Sequence, residues 1–208
     1  MLDLKLIARP LVSSGLALKA AAGLATAGLG YLVTLHLQFG LGWTPAQAAL
    51  GMLPQVVVLL AGGALVTPLI TRVGLTKAAW LSACAVVCGL AVYTAFGGLG
   101  YVWIALALAC VAAGMRVVGV VAGTNVMRGL PPDRTTIGAA LVDTASEVTT
   151  GIGIALSGTI LALVFPGALT AAQHSADFLT ATTYAGFALT VLSATLVGSG
   201  ILRGRNSA

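Results

Sequence analysis

The chain of 208 residues is 59% hydrophobic and 7% charged, with a mean hydropathy of +1.06, whereas soluble domains carry roughly a quarter charged residues. That composition excludes an ordinary soluble domain and places the chain in a lipid bilayer. The formal net charge of +5 calls for no nucleic-acid partner, because basic residues flanking hydrophobic spans follow from the positive-inside bias.

Met1 to Pro10 is polar-mixed and has no short apolar core with a small-residue cleavage site, so no cleaved signal peptide is expected. Six runs then reach the ~20 apolar residues that a helix needs to cross a ~30 Å hydrocarbon core. They cover about 11–37, 46–71, 78–98, 101–127, 137–165 and 178–202. Gly40-Leu-Gly-Trp-Thr-Pro45, Gly97-Gly-Leu-Gly100, Pro131-Pro-Asp-Arg134 and Pro166-Gly167 punctuate them as turn formers. The expected fold is an all-α membrane protein, a single six-helix transmembrane domain over residues 1–208 with antiparallel neighbours.

Loop charges orient the bundle. Lys5 and Arg9 precede the first span, Arg72 and Lys77 join the second to the third, Arg128 and Arg134 join the fourth to the fifth, and Arg203 and Arg205 follow the sixth. The alternate loops carry no Lys or Arg, which predicts that both termini are cytoplasmic. Trp43, Tyr101 and Trp103 then fall near the outer interface and Trp80 near the inner one. His36 and His174 also fall near the outer surface and are expected to be solvated. Cys84, Cys88 and Cys110 lie in apolar runs with no second pair or histidine to complete a metal site, and read as buried small apolar residues. Ala20-Ala-Ala-Gly23 and Gly119-Val-Val-Ala-Gly123 allow close helix approach.

Four charges remain inside the spans: Lys19, Arg116, Asp143 and Glu147. Asp143 and Glu147 are four apart and share a helix face. At ~1.5 Å per residue from the basic flanks, Lys19 and Asp143 lie ~14 to 15 Å deep and Arg116 and Glu147 ~18 to 20 Å deep. Each charge costs ~2.5 to 3.5 kcal/mol at the bilayer centre, so pairing or a wet cavity is required, with Lys19 facing Asp143 and Arg116 facing Glu147. One reading makes these groups a polar path in which Glu147 or Asp143 takes up and releases a proton. The other is a static ion-pair network, with Lys19 partly snorkelling. Gln55, Asn125, Thr144, Thr149 and Thr150 are further candidates to line a path, although lone amides and hydroxyls in membranes more often bond a neighbouring helix. No nucleotide loop, zinc helix motif or nucleophile elbow is present, which argues against an enzyme and against a cofactor.

Several segments resemble the C-terminal half of the major facilitator superfamily, specifically the fourteen-helix drug:proton antiporters. Met1-Leu-Asp-Leu-Lys-Leu-Ile-Ala-Arg9 is similar to the segment before that group's ninth helix, and Thr44-Pro-Ala-Gln-Ala-Ala-Leu-Gly-Met-Leu-Pro54 to the start of its tenth. Thr71-Arg-Val-Gly74 resembles the cytoplasmic loop motif after the tenth helix through Arg72 and Gly74, with Thr71 in place of the family's acid. Pro131-Pro-Asp-Arg134 and Gly138-Ala-Ala140 resemble the approach to the thirteenth helix, and Asp143 and Glu147 the acidic positions of the quaternary-ammonium exporter branch. The resemblance implies one half of a transporter that rocks about a midplane site. Implied too are a bacterial plasma (inner) membrane location and outward movement of a small amphipathic or cationic compound against inward protons at Glu147 and Asp143. The partners would be lipid, protons, the small-molecule substrate, and either an N-terminal half or a second copy. A different class also fits: a non-transporting remnant or a helix bundle that binds a partner.

Overall fold

The computed structural model describes residues 9–131, 135–165 and 176–205, apart from the side chains of Leu65, Thr135 and Arg205. Lys5, Arg134 and His174, and the motif residues 1–8 and 132–134, lie outside the described residues.

Among the described residues the chain is an all-α membrane bundle of seven α-helices that make up six segments long and apolar enough to cross a bilayer, one of which, Pro45–Ala64, runs across two helices. Helix α1, Pro10–Leu35, opens on a proline, whose fixed φ and missing N–H suit a helix start. It passes directly into a π-helical turn, His36–Gly40. The second apolar run does not form one helix. Thr44 caps α2, Pro45–Gly51, through a reciprocal box in which its hydroxyl accepts from Gln47 N at 3.3 Å and its N–H donates to Gln47 Oε1 at 2.9 Å. The chain then turns at Met52 and restarts as α3, Leu53–Val73. Pro54 accounts for the break: it has no N–H for the preceding turn and its ring disfavours helix in the residue before it.

Gly74 separates α3 from α4, Leu75–Phe96, in a backbone conformation with φ of 83°, and its N–H closes α3 on Ile70 O at 2.9 Å. A left-handed residue here explains the glycine of the loop motif. Helices α5, Tyr101–Gly129, α6, Thr135–Val164, and α7, Ala176–Arg205, complete the bundle. At 1.5 Å per residue each of these three is over 40 Å long.

Helix α1 is the centre, packed on α5, α6 and α7. Small residues permit this. A Cβ on Gly15 would meet Ala122 O at 2.7 Å, one on Gly28 would meet the Leu189 methyls at 2.7 Å, and one on Gly153 would meet Leu24 O at 2.6 Å. The packing repeats internally. As α1 packs on α6 and α7, so α5 packs on α3 and α4, while the α1–α5 and α4–α7 pairs map onto themselves when the first three spans are exchanged with the last three. The flanking helices of this repeat are the least covered. Within the apolar windows of these spans 11% of the residues are buried in Pro45–Ala64, which covers α2 and the first part of α3, and 17% in α6, against 56% in α1.

Candidate functional site

Asp143 and Glu147 are both exposed, one turn apart on α6. The face that α6 turns to the bundle is a different one: Ser146 O and Thr149 Oγ1 lie against Gly23, Gly153 lies against Leu24, and Ser157 and Leu161 are buried. The acids belong to the outer stripe with Val148 and Ile152, 56% and 48% exposed.

The opposite charges are elsewhere. Arg116 is exposed and turned toward α3, where its Nε donates to Leu59 O at 2.6 Å, its aliphatic stem lies by Gly62 and its guanidinium by Gly63. Lys19 is half-buried on α1. Among the described residues no ion pair within 4 Å joins any of the four. The two expected pairings, Lys19 with Asp143 and Arg116 with Glu147, are therefore not formed. Equal depth fixes a residue's height along a helix, not the direction in which it points, and here the directions differ.

The other candidates scatter. Thr144 and Thr149 spend their hydroxyls on their own helix, donating to Ala140 O at 2.7 Å and Ala145 O at 2.6 Å. Such back-bonding is the usual way a membrane helix satisfies a lone hydroxyl. Thr150 is half-buried beside Thr149, and Gln55 is half-buried in the first turn of α3. Asn125 lines a cavity of about 300 Å³ at the basic end of the bundle, with Arg128, Trp80, Thr76 and Ser14. Arg72 is exposed in the last turn of α3. The basic end is also tied together by Arg9, whose Nη1 donates to Gly129 O at 2.9 Å.

No protein-family model matches the chain. Over 65 residues it is 38% identical to the "Probable actinorhodin transporter" of Streptomyces coelicolor, a stretch that covers 31% of this chain and 11% of that protein. Over that stretch the chain resembles a transporter. With its six apolar helices it is a multi-pass membrane protein of transporter-like character.

Two further expectations fail, one at the end opposite the arginines and one in the middle of the spans. His36 is not solvated: it is 2% exposed, because the π-helical turn that ends α1 folds it inward, where its ring fills the space that a Cβ on Gly40 would need, 2.7 Å from its Cδ2. Its Nδ1 lies 3.2 Å from the hydroxyl of the buried Tyr93 on α4, the rings meet edge to face, and its Nε2 has no partner among the described residues. A π-turn adds a residue to the helical repeat and so redirects every side chain beyond it, which a helical reading of the sequence does not anticipate. The cysteines are not buried either. Cys84 and Cys88 are exposed and Cys110 is half-buried, since α4 turns Ala78, Ala83, Val86 and Leu90 inward and leaves the sulfur face outward. An apolar thiol needs no burial where the surrounding solvent is hydrocarbon.

Proposed function

We propose that the chain is the C-terminal half of a proton-coupled exporter of small amphipathic compounds that works by alternating access. The observation that carries this reading is the placement of Asp143 and Glu147 on an uncovered face of α6. Left against hydrocarbon, each carboxylate would cost ~2.5 to 3.5 kcal/mol. That face is therefore a cavity wall rather than a lipid surface, and a second six-helix unit closes it. The sparse burial of α3 and α6 gives the same unit its two seams. The internal repeat of the packing is of the kind on which rocking transporters are built. The partial likeness to a transporter supports the same class.

In this mechanism a proton entering from outside neutralises Glu147 or Asp143, which removes the charge that holds one state open, and its release inside resets the cycle. Membrane vesicles from cells producing the chain together with the coding region upstream of it test the reading. Export of an amphipathic fluorophore should vanish when an uncoupler collapses the proton gradient and when Asp143→Asn and Glu147→Gln are combined. Undiminished export with both acids neutralised would refute the assignment.

The same uncovered faces favour one second reading, a half-size carrier that works as two identical chains. Disulfide formation between copies carrying Leu60→Cys and Val148→Cys, at positions 74% and 56% exposed on α3 and α6, would support it over a separate N-terminal half.

A further inference from the structure

At the basic end, the cavity of about 300 Å³ that Asn125 lines is walled by α1, α4, α5 and α7. Neither α3 nor α6 contributes to its wall, so a unit seated on those two flanks leaves the cavity as it is. Arg128 and Trp80 stand exposed at its mouth. Ser14, Leu18 and Val121, 2%, 2% and 1% exposed, form its floor. Helices α4 and α7 touch at their other end, where Thr94 Oγ1 lies 3.4 Å from Thr190 Oγ1, and here the cavity takes the space between them.

Its polar groups are unspent. Ser13, Ser82, Ser157 and Ser199 each return their hydroxyl to a nearby backbone carbonyl, as hydroxyls in membrane helices usually do. The hydroxyls of Ser14 and Thr76, the Asn125 amide, the Trp80 indole N–H and the Arg128 guanidinium have no hydrogen-bond partner among the described residues. Ser14 matters most, because a buried hydroxyl left unpartnered costs about 1 to 3 kcal/mol. Ser193 Oγ, also unpartnered, is sealed in the core, whereas Ser14 lines the cavity. The first turn of α4 brings Leu75 and Thr76 to the wall and has no side-chain cap, so it adds free backbone N–H groups. The charged side chains described at this end, Arg9, Arg72, Lys77, Arg128 and Arg203, are all basic. No carboxylate lies within 4 Å of Arg128 among the described residues.

We propose that this cavity binds the phosphate of an acidic phospholipid, with Arg128 and Thr76 holding its oxygens from the mouth, Ser14 and Asn125 from the floor, and the glycerol against Leu18 and Val121. A guanidinium fork flanked by an amide and two hydroxyls matches the oxygens of a phosphate diester. Arg128 is next to last of the 29 residues of α5, which puts it near the headgroup level where a lipid phosphate sits. Trp80 is of the residue type that favours that level, and basic pockets between membrane helices are where acidic headgroups bind. The ammonium of a zwitterionic lipid would meet like charges with no carboxylate to offset them. A soluble phosphate ester carries the same oxygens; the apolar walls favour the lipid. The site stands whether or not the chain transports.

The test is native mass spectrometry of the chain in micelles with three probes: phosphatidylglycerol, phosphatidylcholine of the same acyl chains, and glycerophosphoglycerol, the deacylated headgroup. The first phosphatidylglycerol should bind about tenfold more tightly than phosphatidylcholine, and Arg128→Gln should erase that preference. Arg203→Gln removes the same charge from the same end without touching the cavity and should leave affinity within about twofold. Ser14→Ala keeps every charge and should weaken phosphatidylglycerol about three- to tenfold. It also keeps the test available if Arg128→Gln does not fold. Equal losses in Arg128→Gln and Arg203→Gln would mean attraction to the basic end as a whole and overturn the site, as would Ser14→Ala binding like the unaltered chain. Glycerophosphoglycerol binding as tightly as the lipid would overturn the lipid as the source of the phosphate.

Discussion

Replacing Gly153 by alanine should loosen the central seam of the bundle, whereas the same change at Gly151 should not. The built Cβ of residue 153 falls 2.6 Å from Leu24 O, 3.2 Å from Leu24 Cα and 3.3 Å from Gly28 N. The nearest of these is about 0.8 Å short of the 3.4 Å at which ordinary contact begins. All three are backbone atoms of α1, so no side chain can rotate away and α6 must shift as a whole. Overpacking a well-packed contact costs about 1 to 3 kcal/mol, and alanine regains about 0.5 to 1 kcal/mol of backbone entropy in a helix. The net loss lies between about 0 and 2.5 kcal/mol with a centre near 1.2, or roughly eightfold in the folding equilibrium. At residue 151 nothing lies within 4 Å, so only the entropic gain remains. Unfolding of both variants in mixed micelles by sodium dodecyl sulfate, followed by far-ultraviolet circular dichroism, measures the difference. Gly153→Ala as stable as Gly151→Ala would refute the argument that α1 and α6 meet backbone to backbone.

The buried His36–Tyr93 contact makes a second prediction for the same assay. Tyr93→Phe leaves His36 with neither ring nitrogen partnered and should cost about 1 to 3 kcal/mol, while His36→Phe combined with Tyr93→Phe removes the polar groups together and should cost less than the single change. A third prediction concerns the uncovered flanks. Nitroxide labels at Leu60 and Val148, in a chain whose Cys84, Cys88 and Cys110 are replaced by serine, should be reached by lipid-dissolved oxygen in the chain alone and shielded from it when the completing half is present, as read by power saturation; equal access in both would place the seam elsewhere.

Much of the fold was legible in the sequence because a bilayer imposes simple rules. Span length and glycine or proline punctuation predicted six crossings to within a few residues, and α4 to α7 each start and stop within three residues of expectation. The misses are local and physical. The break at Met52 was hidden because Pro54 lies in an apolar run that hydropathy reads as continuous. The π-turn at His36–Gly40 has no compositional signature, and Gly40, which yields to the His36 ring, is its only trace. The exposure of Cys84 and Cys88 was missed because apolarity does not separate a lipid-facing residue from a core residue when lipid is the solvent.

The candidate site was legible in identity and not in arrangement. Counting residues from a basic flank measures depth well, since the helical rise is fixed, but each residue also turns by 100°. A depth match between two helices therefore leaves the azimuth free, and azimuth decides whether charges meet. On α6 the small residues Ser146, Thr149 and Gly153 set the direction, because they let α1 approach closely and so turn Asp143 and Glu147 outward. On α5 the glycines of α3 do the same for Arg116. The charges thus face different flanks of the half-bundle, acids beside α6 and guanidinium beside α3. An internal ion-pair network would have been a sufficient account of four buried charges in a structural bundle. Separated and outward-facing, they meet no opposite charge within 4 Å among the described residues, so the ~2.5 to 3.5 kcal/mol that each would cost in hydrocarbon is relieved only if those flanks face something other than lipid tails.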